Sequence, residues 1–142
     1  MNISIGNDHA GVELKQNILK ELQAYKVKDY GTNSSKSVDY PDFIHPVAKD
    51  VEKKKADIGI IICGSGNGAS MTANKYKNVR SAIAWNKETC VLARKHNNAN
   101  ILSIPARFIK KEDALEIVRI FLETEFEGGR HKKRINKINK CL

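Results

Sequence analysis

The chain has 142 residues, which suits one domain, and 25 lysines and arginines against 16 acids give it a net charge of +9. Hydrophobic residues make up 41% of it, enough for a core and too many for a disordered chain. No apolar run approaches the roughly 20 residues of a membrane span, the first residues do not resemble a signal peptide, and the three cysteines form no Cys-x-x-Cys pair. We therefore expect one cytoplasmic domain over residues 1–142, without a zinc ribbon or a disulfide framework.

Short β-branched runs alternate along the chain with longer segments of helical periodicity. This alternation predicts βαβ units and a parallel sheet covered by helices on both faces. We predict a three-layer α/β/α, Rossmann-like fold with a five-stranded parallel sheet and a basic C-terminal helix. The predicted strands cover residues 3–6, 27–30, 57–63, 80–85 and 100–104, and the predicted helices cover residues 12–25, 43–54, 69–76, 87–96 and 112–124.

Polar clusters follow two of the predicted strands. Asp8 and His9 come after the first strand, and a glycine-rich loop comes after the third, which ends at Cys63. Ligands of open parallel sheets bind beyond the carboxyl ends of the strands, so we expect these clusters to share a crevice. His96 and Asn97 precede the fifth strand instead, and could reach that crevice through a neighbouring subunit or a turned loop.

The glycine-rich loop carries Gly64, Gly66 and Gly68 between a buried strand and a helix. Alternating glycines let successive N–H groups point at one spot, which predicts a nest for a phosphate or for an oxyanion formed during a reaction. The loop lacks the Gly-Lys-Ser/Thr of a P-loop. It loosely matches the Gly-x-Gly-x-x-Ala dinucleotide fingerprint, but residues 85–86 are Trp-Asn where that fingerprint requires an acid.

Cys63 leads directly from the buried strand into this nest. Backbone dipoles there favour the thiolate, which would serve as a nucleophile or as a base for a carbon-bound proton. A small buried hydrophobe is the equally common alternative for a free cysteine. Cys90, on an apolar helix face, and Cys141, in the tail, are predicted to take no part.

The positive charge is concentrated at the C-terminus, where residues 130–142 hold six lysines and arginines and no acid. Arg130 and Arg134 project from one face of a helix and could clamp a phosphoryl dianion, or could belong to a solvated face. Nucleic-acid binding is a further hypothesis, although no aromatic side chains interleave with these charges to stack bases.

Four motifs in register resemble one known family, the type B ribose-5-phosphate isomerases. They are Asp8-His9-Ala10-Gly11, Cys63-Gly64-Ser65-Gly66-Asn67-Gly68, Arg94-Lys95-His96-Asn97 and the segment from Glu127 to Arg134.

The resemblance implies an aldose–ketose isomerase, without metal or cofactor, that interconverts D-ribose 5-phosphate and D-ribulose 5-phosphate in the non-oxidative pentose phosphate pathway. It implies Cys63 as the base that moves a proton from C2 to C1 through a cis-enediolate, with Ser65 as a proton shuttle. It implies that His96, helped by Asn97, opens the sugar ring. The substrate-binding residues it implies are Asp8, His9, Gly64, Gly66, Asn67, Gly68, Arg107, Arg130 and Arg134.

The resemblance also implies a homodimer or homotetramer with its active site between two chains, and with His96 and Arg107 supplied by the partner. No nucleic-acid or membrane partner is expected. Three alternatives remain: a hexose-6-phosphate isomerase of the same family, acting on allose or galactose 6-phosphate; a non-catalytic sugar-phosphate sensor; and the nucleic-acid binder.

Overall fold

A computed structural model describes residues 1–140. Its five strands all run parallel in one sheet, as predicted. The strands are β1 (Asn2–Asn7), β2 (Lys26–Asp29), β3 (Ile58–Cys63), β4 (Ser81–Ile83) and β5 (Ile101–Pro105). The helices are α1 (Val12–Glu21), α2 (Tyr40–Glu52), α3 (Asn67–Ala73), α4 (Lys87–Asn97), α5 (Lys111–Glu123) and α6 (Gly129–Ile138), and a 3-10 turn spans His9–Gly11.

Helices cover both faces of the sheet, which confirms the three layers. Successive residues of a strand face opposite ways, and β3 is buried on both sides as a central parallel strand should be. Ile61 packs with Val47 in a core made by α2 and α3. Ile60 packs with Phe121 in a second core made by α1, α4 and α5.

The predicted boundaries shift where one asparagine ties two elements together. The side chain of Asn74 accepts from the N–H of Ser81 at 2.8 Å and donates to the carbonyl of Ser81 at 3.0 Å. These bonds end α3 at Ala73 and start β4 one residue later than predicted. At the other end of β4, Asn86 caps α4 by accepting from the N–H of Thr89, so the predicted strand loses its last two residues.

The strand order is β2-β1-β3-β5-β4. The chain leaves β1 toward one edge of the sheet and β3 toward the other, so the topological switch point lies between these two strands. Open α/β sheets bind ligands in the crevice at that point. Asn7 pairs with Ile62 there, which brings the residues after β1 and after β3 side by side.

Within residues 1–140, no helix combines the length and the apolar character needed to cross a membrane. Cys63 and Cys90 are free thiols. Cys141, predicted to take no part, lies outside the described residues.

Candidate active site

Cys63 ends β3 at the switch point, with a side chain that is only 5% exposed. The N–H of Gly66 donates a hydrogen bond to its Sγ atom at 3.2 Å. A donor aimed at sulfur stabilises negative charge on that atom. The predicted thiol beside a backbone donor is therefore present in the fold.

Gly66 can aim its N–H at the sulfur because its backbone is left-handed, with φ +78°. Its carbonyl accepts from the hydroxyl of Ser103 on β5 at 2.8 Å, a bond that is fully buried. Ser65, by contrast, lies exposed and accepts from the N–H of Asn67 at 3.3 Å. Ser103 was not among the predicted site residues, although a lone hydroxyl inside an apolar strand was the available signal.

Two side chains from elsewhere in the chain press on the glycines of this loop. A methyl group added at Gly68 would overlap the ring of Tyr40, and one added at Gly64 would come within 3.3 Å of Arg107 Nη1. The N–H of Arg107 also donates to the carbonyl of Gly64 at 3.0 Å. Arg107 therefore contacts the loop of its own chain, because β5 runs directly beside β3. That Arg107 also serves the active site of a partner chain stays a prediction.

Asp8 and His9 lie at the same edge. The N–H of Asp8 donates to the carbonyl of Ile62, and its carboxylate accepts from the N–H of Ala10 at 2.9 Å. Nδ1 of His9 accepts from the N–H of Val38 at 3.2 Å. A ring nitrogen that accepts carries no hydrogen, so the neutral ring of His9 offers Nε2–H as a donor.

The loop that carries Val38 is held by a buried lysine. Lys15 of α1 is fully buried and pairs with Asp29 at 2.9 Å. Its ammonium also donates to the carbonyl of Thr32 and to the side chain of Asn33. Lys15 therefore anchors the start of this loop, a role that spacing along the chain gave no means to predict.

His96 and His131 form a second cluster, on α4 and α6. Their rings stack with centroids 4.1 Å apart and planes 10° apart. His131 is 4% exposed, and its Nε2 atom has no hydrogen-bond partner among residues 1–140. Burial lowers the pKa of His131, and its electrostatic interactions with His96, Arg130 and Arg134 act in the same direction, opposed by Glu127.

Arg130 and Arg134 stand one turn apart on α6, both exposed. Together with Lys133 and Lys137 they line one shallow depression. Neither arginine enters any ion pair formed within residues 1–140. The first turn of α6 holds no acid, so its cations oppose the helix dipole at some cost in stability. Such a surface is suited to a dianion.

Two further arginines fix the end of α4, which carries His96. Arg80 donates from Nε to the carbonyls of Asn97 and Asn98 at 3.1 and 3.0 Å. Arg94 donates from Nε to the carbonyl of Thr124 at 3.0 Å. These bonds satisfy carbonyls that the helix end leaves free and join α4 to the chain entering α6.

These two clusters lie at opposite ends of the sheet. Cys63 pairs with Pro105 at the carboxyl end of β5, and Gly59 pairs with Ile101 at its amino end, which α4 precedes. At about 3.3 Å per residue, the two levels are about 13 Å apart. One group, the thiol end, comprises Asp8, His9, Cys63, Gly64, Ser65, Gly66, Asn67, Gly68 and Arg107; the other, the basic end, comprises His96, Asn97, Arg130, His131 and Arg134.

The basic end also holds a set of atoms that could in principle bind a metal ion. Donor atoms of His96, Glu127 and His131 all lie within 4.8 Å of one another. Ring lone pairs lie in the ring plane, however, so two parallel stacked imidazoles direct them side by side instead of toward one ion. With Arg130 and Arg134 adjacent, the arrangement fits a cation poorly.

Comparison with known proteins identifies the family. A family model described as Ribose/Galactose Isomerase matches residues 3–138. Ribose-5-phosphate isomerase B of Escherichia coli is 38% identical over 138 residues, which cover 96% of this chain and 93% of that protein.

Two solved structures are similar over nearly the whole chain. A ribose 5-phosphate isomerase of Thermotoga maritima is 45% identical with a TM-score of 0.95, covering 99% of this chain and 98% of that one. Ribose-5-phosphate isomerase B of Mycoplasma genitalium, solved with bound ribulose-5-phosphate, is 44% identical with a TM-score of 0.94, covering 98% and 94%. The chain therefore belongs to the ribose/galactose isomerase family.

Proposed function

We propose that this chain, acting as a single cytoplasmic domain, is a type B ribose-5-phosphate isomerase of the non-oxidative pentose phosphate pathway. It interconverts D-ribose 5-phosphate and D-ribulose 5-phosphate without a metal or cofactor. The observation that carries the proposal is the hydrogen bond from Gly66 N–H to the Cys63 sulfur at the switch point of the sheet. The ribulose-5-phosphate complex of the 44% identical relative supports a phosphorylated pentose as substrate.

The isomerisation moves one proton between neighbouring carbons. The Cys63 thiolate takes the proton from C2 of the open-chain aldose, C1 and C2 form a double bond, and the carbonyl electrons pass to O1. N–H groups of the glycine-rich loop stabilise the resulting enediolate oxygen. Ser65, exposed two residues after Cys63, carries the hydroxyl proton from O2 to O1. The C2 carbonyl then forms, and C1 takes the proton back from the thiol.

The remaining steps belong to the basic end. His96, with Asn97, transfers the proton that opens the furanose ring, and Arg130 and Arg134 bind the phosphate. His9 donates from Nε2 to the sugar, with Asp8 beside it, and Arg107 adds positive charge at the glycine-rich loop.

Both ends must meet on one substrate, and about 13 Å of sheet separates their levels in a single chain. We therefore propose a homodimer or homotetramer in which the thiol end of one chain faces the basic end of another.

Turnover of ribose 5-phosphate by the reduced protein, with a chelator present, tests the proposal. Cys63→Ala is expected to lower the rate about 100-fold or more, the usual contribution of a positioned base, while sugar-phosphate binding persists. Cys90→Ala is the matched control: burial raises the pKa of that thiol to about 12, so it takes no part in proton transfer.

Three results would contradict the proposal. A Cys63→Ala variant that keeps more than about a tenth of the wild-type rate would remove Cys63 as the base. Loss of activity with the chelator would show a metal requirement. Conversion of allose or galactose 6-phosphate, without conversion of ribose 5-phosphate, would assign the hexose activity of the family.

A further inference from the structure

The imidazole of His96 is held by a face-to-face contact. The hydrogen bonds formed within residues 1–140 include none from its ring, and the side chain is half-buried on the last turn of α4. The contact that limits its rotation is the stack on His131, with ring centroids 4.1 Å apart. Stacking uses the ring face and leaves both in-plane nitrogens free, whereas a hydrogen-bonded anchor would occupy one of them.

His131 is itself well fixed. It occupies the first turn of α6, which is capped by Gly128 and begins at Gly129; these two glycines have positive φ of 73° and 52°. Its N–H donates to the carbonyl of Gly128 at 3.1 Å, and the N–H of Glu127 donates to the carbonyl of Lys95 on α4 at 3.1 Å. These bonds hold the start of α6 next to the end of α4, which carries His96.

We propose that His131 is a positioning residue for His96: its buried ring holds the ring-opening imidazole in a fixed orientation by stacking and leaves both of its nitrogens available for proton transfer. This inference rests on the proposed role of His96. In this role the aromatic face of His131 contacts His96, and the ring nitrogens of His131 take no part.

The electrostatic surroundings agree with that assignment. Burial lowers the pKa of His131, and His96 and the two arginines of α6 lower it further against the opposing effect of Glu127. A lowered pKa favours the neutral form of His131. A neutral neighbour lets His96 carry a proton without a second cation stacked on its face.

A pair of variants separates the ring face from the ring nitrogens. His131→Phe keeps an aromatic face and removes the nitrogens, while His131→Leu fills a similar volume with no aromatic face. Ile135→Ala, one turn further along α6 and also partly buried, is the matched control for loss of packing. Each is measured for kcat and KM on ribose 5-phosphate, with its Tm, alone and combined with His96→Ala.

We expect His131→Phe and Ile135→Ala to keep kcat within about threefold of wild type, and His131→Leu to lower kcat about tenfold with little change in KM. In the His96→Ala background, which turns over only substrate that opens unaided, His131→Leu should cost nothing further, because residues that act through one another are not additive.

Three outcomes would overturn the inference. Equal kcat losses in the Phe and Leu variants would give the role to a ring nitrogen. A loss in His131→Leu that persists in the His96→Ala background would give His131 a purely structural role. If His96→Ala is impaired but His131→Leu has an unchanged kcat, His131 does not position His96. Wild-type activity in His96→Ala would instead contradict the proposed role of His96 itself.

Discussion

The thiol end and the basic end are built by different means. At the thiol end the functional contacts come from the main chain. The N–H of Gly66 donates to the sulfur of Cys63, and the carbonyl of Gly66 accepts from the hydroxyl of Ser103. At the basic end, side chains on the surfaces of two helices carry the chemistry, and Arg130 and Arg134 stand exposed.

This difference has a consequence for mutation. A main-chain donor cannot be removed by truncating a side chain, so the thiol end is sensitive to backbone conformation and crowding. Each charge at the basic end can be removed separately, so its contributions to binding should be graded. We therefore expect changes at the thiol end to alter kcat, and changes to the arginines of the basic end to alter KM.

Gly66→Ala, at the thiol end, should have the largest effect on kcat. The new Cβ would lie 3.2 Å from Ser103 Oγ in a left-handed backbone, which costs a non-glycine residue about 1–2 kcal/mol. Relieving this strain would turn the N–H away from the sulfur, so kcat should fall about 100-fold. Steady-state kinetics with ribose 5-phosphate measure it.

Gly129→Ala provides the matched control at the basic end. Gly129 also has a positive φ, of 52°, but a Cβ there would meet no atom within 4 Å. Alanine at Gly129 would have a similar backbone strain, but among residues 1–140 its Cβ would crowd no neighbour and no thiol lies next to it. Comparable losses of kcat in the two variants would show that generic strain, and not the contact with Cys63, explains the result at Gly66.

Arg134→Ala should raise KM for the phosphorylated sugar about tenfold or more, since a hydrogen bond to a charged group contributes about 1.5–3 kcal/mol. Its kcat and fold should change little. Lys132→Ala removes the same charge from the other side of α6 and serves as the control. A KM within twofold of wild type would return Arg134 to a solvated helix face.

The smallest expected effect is a pH dependence of stability that arises from His131, at the basic end. Folding lowers the pKa of His131 from its ordinary value of 6.5, so the unfolded chain binds the proton more readily. Stability is therefore retained above about pH 6.5 and lost as the pH falls below it. The free energy of unfolding, measured with denaturant, should fall between pH 7.5 and pH 5.5, and the fall should be smaller in His131→Phe than in wild type. An equal fall in the two proteins would contradict this prediction.

The features that were predictable from the sequence are those with a local signal. The alternation of strands and helices and the loop from Gly64 to Gly68 each depend on neighbouring residues. Ser103 and Tyr40 were missed because they reach the loop through the strand order and helix packing, which the sequence does not reveal. The contact of Arg107 with the loop of its own chain depends in the same way on the adjacency of β5 and β3.

The basic end illustrates the opposite case. The spacing of Arg130 and Arg134 was enough to predict a shared helix face. The stack of His96 on His131 was not predictable, because those residues are 35 positions apart and meet only when α6 folds back onto α4.

The most direct test of a site shared between chains is complementation between two inactive variants. Cys63→Ala and Arg134→Ala/His96→Ala chains would be mixed, unfolded together and refolded, and turnover compared with each variant refolded alone. In a symmetric dimer, random pairing should restore about a quarter of the wild-type sites, because half of the dimers are mixed and each mixed dimer holds one intact site. Turnover no higher than that of the separate variants would place both ends of the site in one chain and contradict the shared site.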